Sequence, residues 1–550
     1  MNLPARWCLL GLLTLTVVAA LMRAPATWQR PLWFDESDTW QAASPDTGIT
    51  YAQFFTWTNH FENAPLGFLL PRIATDLLGT QAEWAWRLPA LIFGLLCIPA
   101  MYWLGRVVHS HFLGLMTALL IAFDPTQFDQ SQQARMYPML MLFTILAACC
   151  AILILRDPTR RHWHWVVLGV ALGLSLWSTL LGAMVWVSIA LGAAALLIVG
   201  WLTGRPHAQF QHILLRFTLA YVAAIAVANV GVYRIIARAI NPPDRGGAGM
   251  PVPAIARELV VGLKDMIWPN SSAADLPLSL LITAVVLTLA TIGLARLAFH
   301  CKTSTAVMLG LLVGTAVMMI PFRRAHRFMD PRYFTVLQPA LWIGLGMLAM
   351  PFARAKGQAE ARSSNQIRNP KSEIRNLLGP WPLALILVML YITAQAWQCW
   401  HIDRWWAQPD RYLVVPALRQ AAQQRGPGDV IAVAPPVVGQ LARYYDIPVD
   451  AALDAALRDP RPERNYQPAP DPRISADFAA PSTWLVIGMV NDLSKLQSAN
   501  AFYPGKPVAA LAAHYGLTLD PAELQGRFAK DRVIIAHISP AGIQWTMLER

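Results

Sequence analysis

The stretch PLWFDESDTW, Pro31–Trp40, places three carboxylates within four residues: Asp35, Glu36 and Asp38. If Pro31 opens a helix, Asp35 and Asp38 share one face at i and i+3, and Glu36 points about 100° away. A carboxylate held there can take a proton from an attacking hydroxyl, which is a poor nucleophile until a base begins to do so. The same acids also suit the first turn of an interfacial helix, where the helix dipole favours negative charge and water solvates it. Spacing alone leaves both readings open.

Basic counterparts stand elsewhere. PFRRAHRFMDPRYF carries Arg323, Arg324, Arg327 and Arg332, and SQQARMYP carries Arg135 beside Tyr137. A guanidinium fork matches phosphate oxygens two at a time, so such clusters suit a lipid phosphate. Headgroup contact, or pairing with Asp330 and the first-loop acids, suits them equally. Arg135 stands where a helix is expected to begin, opposing the local dipole, and calls for an anionic partner, either a carboxylate or a phosphate. His60 and Glu62 in NHFEN and His326 in RAHRF are the exterior residues of metal-ligating type. An HxE pair on a loop is a slender basis for a metal. No metal site is assigned and no cofactor is expected, a divalent ion being the minor alternative.

The elements that must position these residues are membrane helices. Of 550 residues 55% are apolar and only 14% charged, against roughly a quarter charged in soluble domains. The 22 Trp fall largely near the ends of apolar runs, as interfacial indoles do. Net charge is +12, but the Lys and Arg lie in short loops between apolar runs, not in one aromatic-rich basic patch, which speaks against nucleic acid as a partner. The six Cys are scattered, with none in the C-terminal tail, so neither a disulfide framework nor a zinc site is legible.

Runs of about 20 apolar residues suffice to span a bilayer. About eleven candidates begin near Trp7, Trp84, Phe112, Arg135, His162, Gly182, Ile213, Leu276, Ser304, Phe334 and Gly379. The apolar stretch from His162 to Trp201 is too long for one helix and divides at STLLGA, Ser178–Ala183. The first run could also serve as a signal peptide, with small residues at RAPA. With the N-terminus inside, cytoplasmic loops carry Arg106; Arg156, Arg160 and Arg161; Arg205; Arg296 and Lys302; and Arg354 to Arg375. That distribution obeys the positive-inside rule. The clusters at Arg323–Arg332 and Arg135 then lie outside with the acids.

Three regions follow: a membrane domain, 1–398, with a first exterior loop at 23–83; a basic low-complexity cytoplasmic loop at 353–378, which repeats IRN; and an exterior, periplasmic α/β domain at 399–550. In the last, DVIAVAP, TWLVIGMV and RVIIAHI read as strands and VVGQLARYY as a helix. The expected fold class is therefore an α-helical multi-span membrane protein with a C-terminal soluble α/β domain, in the plasma (inner) membrane.

Taken in order, WFDES, then ENAPLGFLLPRIATDLLGTQAEWAWRLPALIFGLLCIPAMYWLGR, then SQQARMY, then DPRYFTVLQPAL resemble the membrane glycosyltransferases of the C-type (GT-C) fold. The nearest patterns are the family 39 protein mannosyltransferases and the lipid A aminoarabinose transferases, which use polyprenyl-phosphate sugars. The resemblance covers roughly residues 7–351. It implies Asp35 as catalytic base with Glu36 as the second acid. It also implies Arg332, Arg135, Arg324, Tyr333 and Tyr137 around the donor phosphate, and His60 and Asn63 as acceptor or loop contacts. Gln133 stands where relatives often carry Glu, and Asn63 with Pro65 matches the loop element only partly.

The implied reaction needs one base and guanidinium groups to hold the developing phosphate charge. One base without a second nucleophile implies a single inverting displacement. The partners expected are a polyprenyl-phosphate sugar, membrane lipids and an envelope glycan, lipid or protein acceptor. A polymerase or ligase using a lipid pyrophosphate would share these features. A transporter of lipid-linked sugars would show mid-membrane charges or inverted repeats, which are not evident. A non-catalytic membrane anchor with a glycan-binding tail predicts that Asp35 is dispensable.

Overall fold

The computed structural model describes residues 5–55, 65–157, 163–203, 207–240, 252–268, 276–325, 331–350, 381–400, 413–434, 436–452, 482–487, 515, 517 and 533–546. The chain divides into two compact units, one of Met1–Trp28 and Thr50–Ala407, the other of Gln29–Ile49 and Gln408–Arg550. This differs from the division expected from hydropathy. Residues 29–49, the start of the first exterior loop, join the C-terminal unit. The basic loop at 353–378 lies outside the described residues.

The first unit is helical. Its helices are α1 (Ala5–Gln29), α3 (Tyr51–Phe54), α4 (Leu66–Leu78), α5 (Glu83–Val108), α6 (His111–Ala122), α7 (Pro125–Gln130), α8 (Tyr137–Arg156), α9 (Trp163–Ser178), α10 (Gly182–Leu202), α11 (His207–Ile240), α12 (Val252–Ile267), α13 (Leu276–His300), α14 (Lys302–Ala325), α15 (Gln338–Leu348) and α16 (Trp381–Trp400), with a 3-10 turn over Pro331–Leu337. Among the described residues eight helices are long and apolar enough to cross a membrane. The chain is a multi-pass membrane protein. Three of the eleven expected spans are shorter: α6, α9 and α15. In the last, the apolar run from Phe334 is split between the 3-10 turn and α15.

The expected break at STLLGA is present. α9 ends at Ser178 and α10 begins at Gly182, whose N–H donates to Thr179 O at 2.8 Å. The Pro- and Gly-rich part of the chain between α11 and α13 contains α12, which packs against the 3-10 turn and α13.

Where lipid tails are as apolar as the side chains, helices associate through close backbone approach at small residues. α10 meets α14 at Ser188, Gly192 and Gly310, and a Cβ on Gly310 would sit 2.4 Å from Ser188 O. α13 meets α15 more tightly, and a Cβ on Gly293 would lie 1.8 Å from Gly344 O. α8, among the most buried helices, packs on α5 and α9 at the centre of this unit.

The second unit contains α2 (Phe34–Ala43), α17 (Val414–Gln424), β1 (Val430–Ala434), α18 (Pro436–Tyr444), β2 (Ala451–Ala452), β3 (Thr483–Ile487), β4 (Ile534–Ser539) and β5 (Gly542–Thr546). Its five-stranded sheet has the order β2-β1-β3-β4-β5. β1 is parallel to β2 and β3, and β4 is antiparallel to β3 and β5. The three expected strands and the expected helix are all present. The two edge strands, β2 and β5, lacked a run long enough to read.

A polar knot fastens the middle strands. Asp429 accepts from Gly426 N–H at 2.8 Å and Trp484 Nε1 at 3.2 Å, and from the Ser482 hydroxyl, which also meets His537 Nε2 at 2.7 Å. Burial opposes ionisation of Asp429, but these donors and nearby His537 hold its carboxyl below the usual range. Serine, not histidine, stands in the middle of this chain, so the knot lacks the order that activates a serine nucleophile. It ties β1, β3 and β4 together.

Candidate active site

The acids come first in the chain. α2 begins after Trp33, and the Glu36 carboxylate turns back to accept the Trp33 backbone N–H at 3.2 Å. This is half of a capping box, in which a side chain three residues into a helix satisfies an orphan donor at its start. Glu36 is buried, whereas Asp35 and Asp38 are half-buried on the other side of the turn. Asp35 and Glu36 are thus neighbours in sequence with different surroundings, and both belong to the second unit.

The basic residues lie in the first unit. After α6, Asp124 caps α7, accepting Gln127 N–H at 2.7 Å with Pro125 at the first helical position. Gln127 Nε2 donates to Gln338 Oε1 at 2.7 Å, and Gln338 Nε2 faces the Asp124 carboxylate at 3.4 and 3.5 Å. Burial pushes the Asp124 carboxyl up to about 7, opposed by the Gln127 N–H and by the charge of Arg23. Gln338 opens α15 directly after the 3-10 turn, so this buried network joins the turn to the segment leading into α8.

That segment is irregular. Gln133 Nε2 donates to Asp129 Oδ2 at 2.5 Å, and Arg135 N–H donates to Gln133 O at 2.7 Å. α8 starts at Tyr137 with Pro138 in its first turn, two residues later than the expected start at Arg135. Arg135 is therefore just outside the helix, with its side chain buried. The Arg332 guanidinium lies over the Tyr137 ring, 5.3 Å from its centroid. Tyr333 meets Phe322 of α14 edge-on at 5.0 Å. The structure thus brings Arg332 to Tyr137, which Arg135 precedes by two residues in the chain.

Arg324 sits in the last turn of α14, and His60 and Asn63 lie outside the described residues, as do Glu62 and His326. Among the described residues, no three His, Cys, Asp or Glu side chains converge in a way that could hold a metal ion. Sequence reasoning missed Gln338, which it saw as one polar residue in an apolar run. The Asp124-Pro125 pair carried a legible helix-start signature.

A guanidinium laid on an aromatic ring, with a second, buried arginine two residues before that ring in sequence, set in a bundle of membrane helices, can hold a phosphate at the edge of a bilayer. The bundle has the GT-C fold, as its likeness to the solved structures below shows. Residues 53–233 match the family model of the dolichyl-phosphate-mannose-protein mannosyltransferases, a region that contains Arg135 and Tyr137 but neither Asp35 nor Arg332. ArnT from Cupriavidus metallidurans, in a crystal structure bound to undecaprenyl phosphate, superposes with a TM-score of 0.50 at 15% identity, covering 96% of this chain and 97% of that one. The oligosaccharyltransferase of Archaeoglobus fulgidus superposes with a TM-score of 0.50 at 12% identity, covering 80% of this chain. This chain spans 63% of the length of that archaeal relative. No curated protein matches the sequence.

Proposed function

We propose that the chain is an inverting glycosyltransferase that moves a sugar from a polyprenyl phosphate to an acceptor hydroxyl on the exterior face of the membrane. The observation that carries this reading is the Arg332 guanidinium on the Tyr137 ring, at the start of a helix preceded by Arg135, in a fold whose ArnT representative has been solved with undecaprenyl phosphate bound.

In this reading Asp35 takes the acceptor proton as the acceptor oxygen bonds to the anomeric carbon. The bond from that carbon to the phosphate oxygen breaks, and its electron pair leaves with the lipid phosphate. That leaving group is stable as an anion and needs no acid. Arg332 and Arg135 hold its charge, which grows in the transition state. Tyr137 and Tyr333 orient the arginine side of the site, and Glu36 keeps the helix start of α2 in place. No metal is assigned a step. The sugar is left unspecified, and the acceptor is an envelope glycan, lipid or protein hydroxyl.

The test is Asp35→Asn in membranes supplied with radiolabelled polyprenyl-phosphate sugar. Loss of a general base lowers transfer by about a hundredfold or more. Transfer near the wild-type rate would remove Asp35 from the mechanism.

A further inference from the structure

The helix that carries Asp35 does not stand by itself. α2 has ten residues, and isolated helices shorter than about 12 to 15 residues are marginal in water. Its neighbour within the second unit is α18, the helix that follows the first strand of the C-terminal sheet. Just before α2, Leu32 N–H donates to the Tyr445 hydroxyl at 2.7 Å. Midway, Ser37 Oγ donates to Gln440 Oε1 at 3.5 Å. In the last turn, the buried Trp40 ring meets Tyr444 edge-on at 5.5 Å. Beyond the helix end, Arg443 Nη2 donates to Asp46 O at 3.5 Å.

The holding side is itself braced. Tyr444 and Tyr445 pack edge to face at 4.7 Å, and the Arg419 guanidinium of α17 lies over the Tyr445 ring at 5.4 Å. α18 packs on β1 and β2, and β1 is fixed in register by β2 and β3. Leu32 is buried, so its N–H without the Tyr445 hydroxyl would carry the cost of an unmet donor. A short helix is thereby tied at its start, middle and end to an element backed by a sheet.

We infer that the C-terminal domain is a positioning device for the acid helix: α18 and Tyr445 fix α2 and so set the aim of Asp35. This rests on the reading of Asp35 as the base. Tyr444, Tyr445 and Gln440 are positioning residues, acting through α2. A reactive group displaced by about 1 Å can lose a hundredfold in rate, so a helix held at three points is worth more to transfer than to overall stability.

The experiment uses the full chain in lipid nanodiscs and compares wild type with Tyr444→Ala, Tyr445→Phe and Tyr444→Phe. Hydrogen exchange is followed in peptides covering residues 32–43, with peptides from β1, β3 and α8 as folding controls. Transfer rate and polyprenyl-phosphate affinity are measured on the same samples. In Tyr444→Ala and Tyr445→Phe, exchange over 32–43 should quicken about tenfold, as expected for loss of roughly 1.4 kcal/mol of local protection. Transfer should fall about ten- to a hundredfold, with donor affinity and the control peptides unchanged. Tyr444→Phe keeps the ring contact with Trp40 and should stay closer to wild type than Tyr444→Ala in both exchange and transfer.

Unchanged protection over 32–43 in both Tyr444→Ala and Tyr445→Phe overturns the inference. Faster exchange with undiminished transfer overturns it too, and Asp35→Asn then tells the two ideas apart. If Asp35→Asn still abolishes transfer, positioning by α18 fails alone; if Asp35→Asn is also active, the reading of Asp35 as base has failed as well.

Discussion

At the scale of single residues, Arg332 combines two properties that lysine does not. Its planar guanidinium can lie on the Tyr137 ring and still present a fork of donors along its edge, whereas an ammonium is a point charge with stronger hydration. If Arg332 holds the donor phosphate, Arg332→Ala should weaken polyprenyl-phosphate binding by about 1.5 to 3 kcal/mol, roughly ten- to a hundredfold. Arg332→Lys should recover only part of it. Equilibrium binding of a fluorescent polyprenyl phosphate reads this directly, and unchanged affinity in Arg332→Ala would move the role to Arg135 or Arg324. Asp35 and Glu36 show how far residue types carry. The sequence puts two acids side by side, but the cap from Glu36 to Trp33 emerges only with the helix start. Gln338 was illegible for a simpler reason: its partners Gln127 and Asp124 lie more than 200 residues earlier.

At the scale of elements, the apolar runs were legible because a bilayer imposes a length on each helix. What hydropathy does not encode is how closely neighbours approach. α15 follows the turn that bears Arg332 and Tyr333, and it rests on α13 with Gly344 against the backbone of Ala290 and Gly293. Gly344→Leu would force these helices apart, and overpacking of this kind costs about 1 to 3 kcal/mol. The expected outcome is a lower thermal unfolding midpoint in detergent, together with reduced donor binding, because Gln338 and the Arg332 turn move with α15. A surface control such as Leu281→Ala on the exposed side of α13 should leave both intact. α12 escaped notice because its ends are framed by Pro and Gly, which mark loops more often than helix borders.

At the scale of the whole molecule, the loop charges predict an orientation. With the N-terminus inside, the basic stretch around SSNQ, Ser363–Gln366, is expected to face the cytoplasm, and the C-terminal domain to face out. A cysteine introduced at Ser364 in a variant lacking the native cysteines should react with a membrane-impermeant maleimide only after the membrane is opened, whereas one at Gln423 should react in intact cells. The reverse pattern would invert the topology. The two-part character of the chain was plain from composition, since apolar runs give way to short strands and Pro-rich stretches near residue 400. The membership of residues 29–49 was not, because adjacency in sequence argues for the membrane bundle and only the packing of Trp40 and Leu32 on α18 argues otherwise.

That membership sets an order in time. Leu32 precedes Tyr445 by 413 residues, and at about 5 to 20 residues per second a ribosome needs roughly 20 to 80 s to cover that distance. Through that interval the acid helix has been made and its support has not. The contacts that hold Leu32, Ser37 and Trp40 therefore form only once the tail has been made, long after the first membrane helices have emerged.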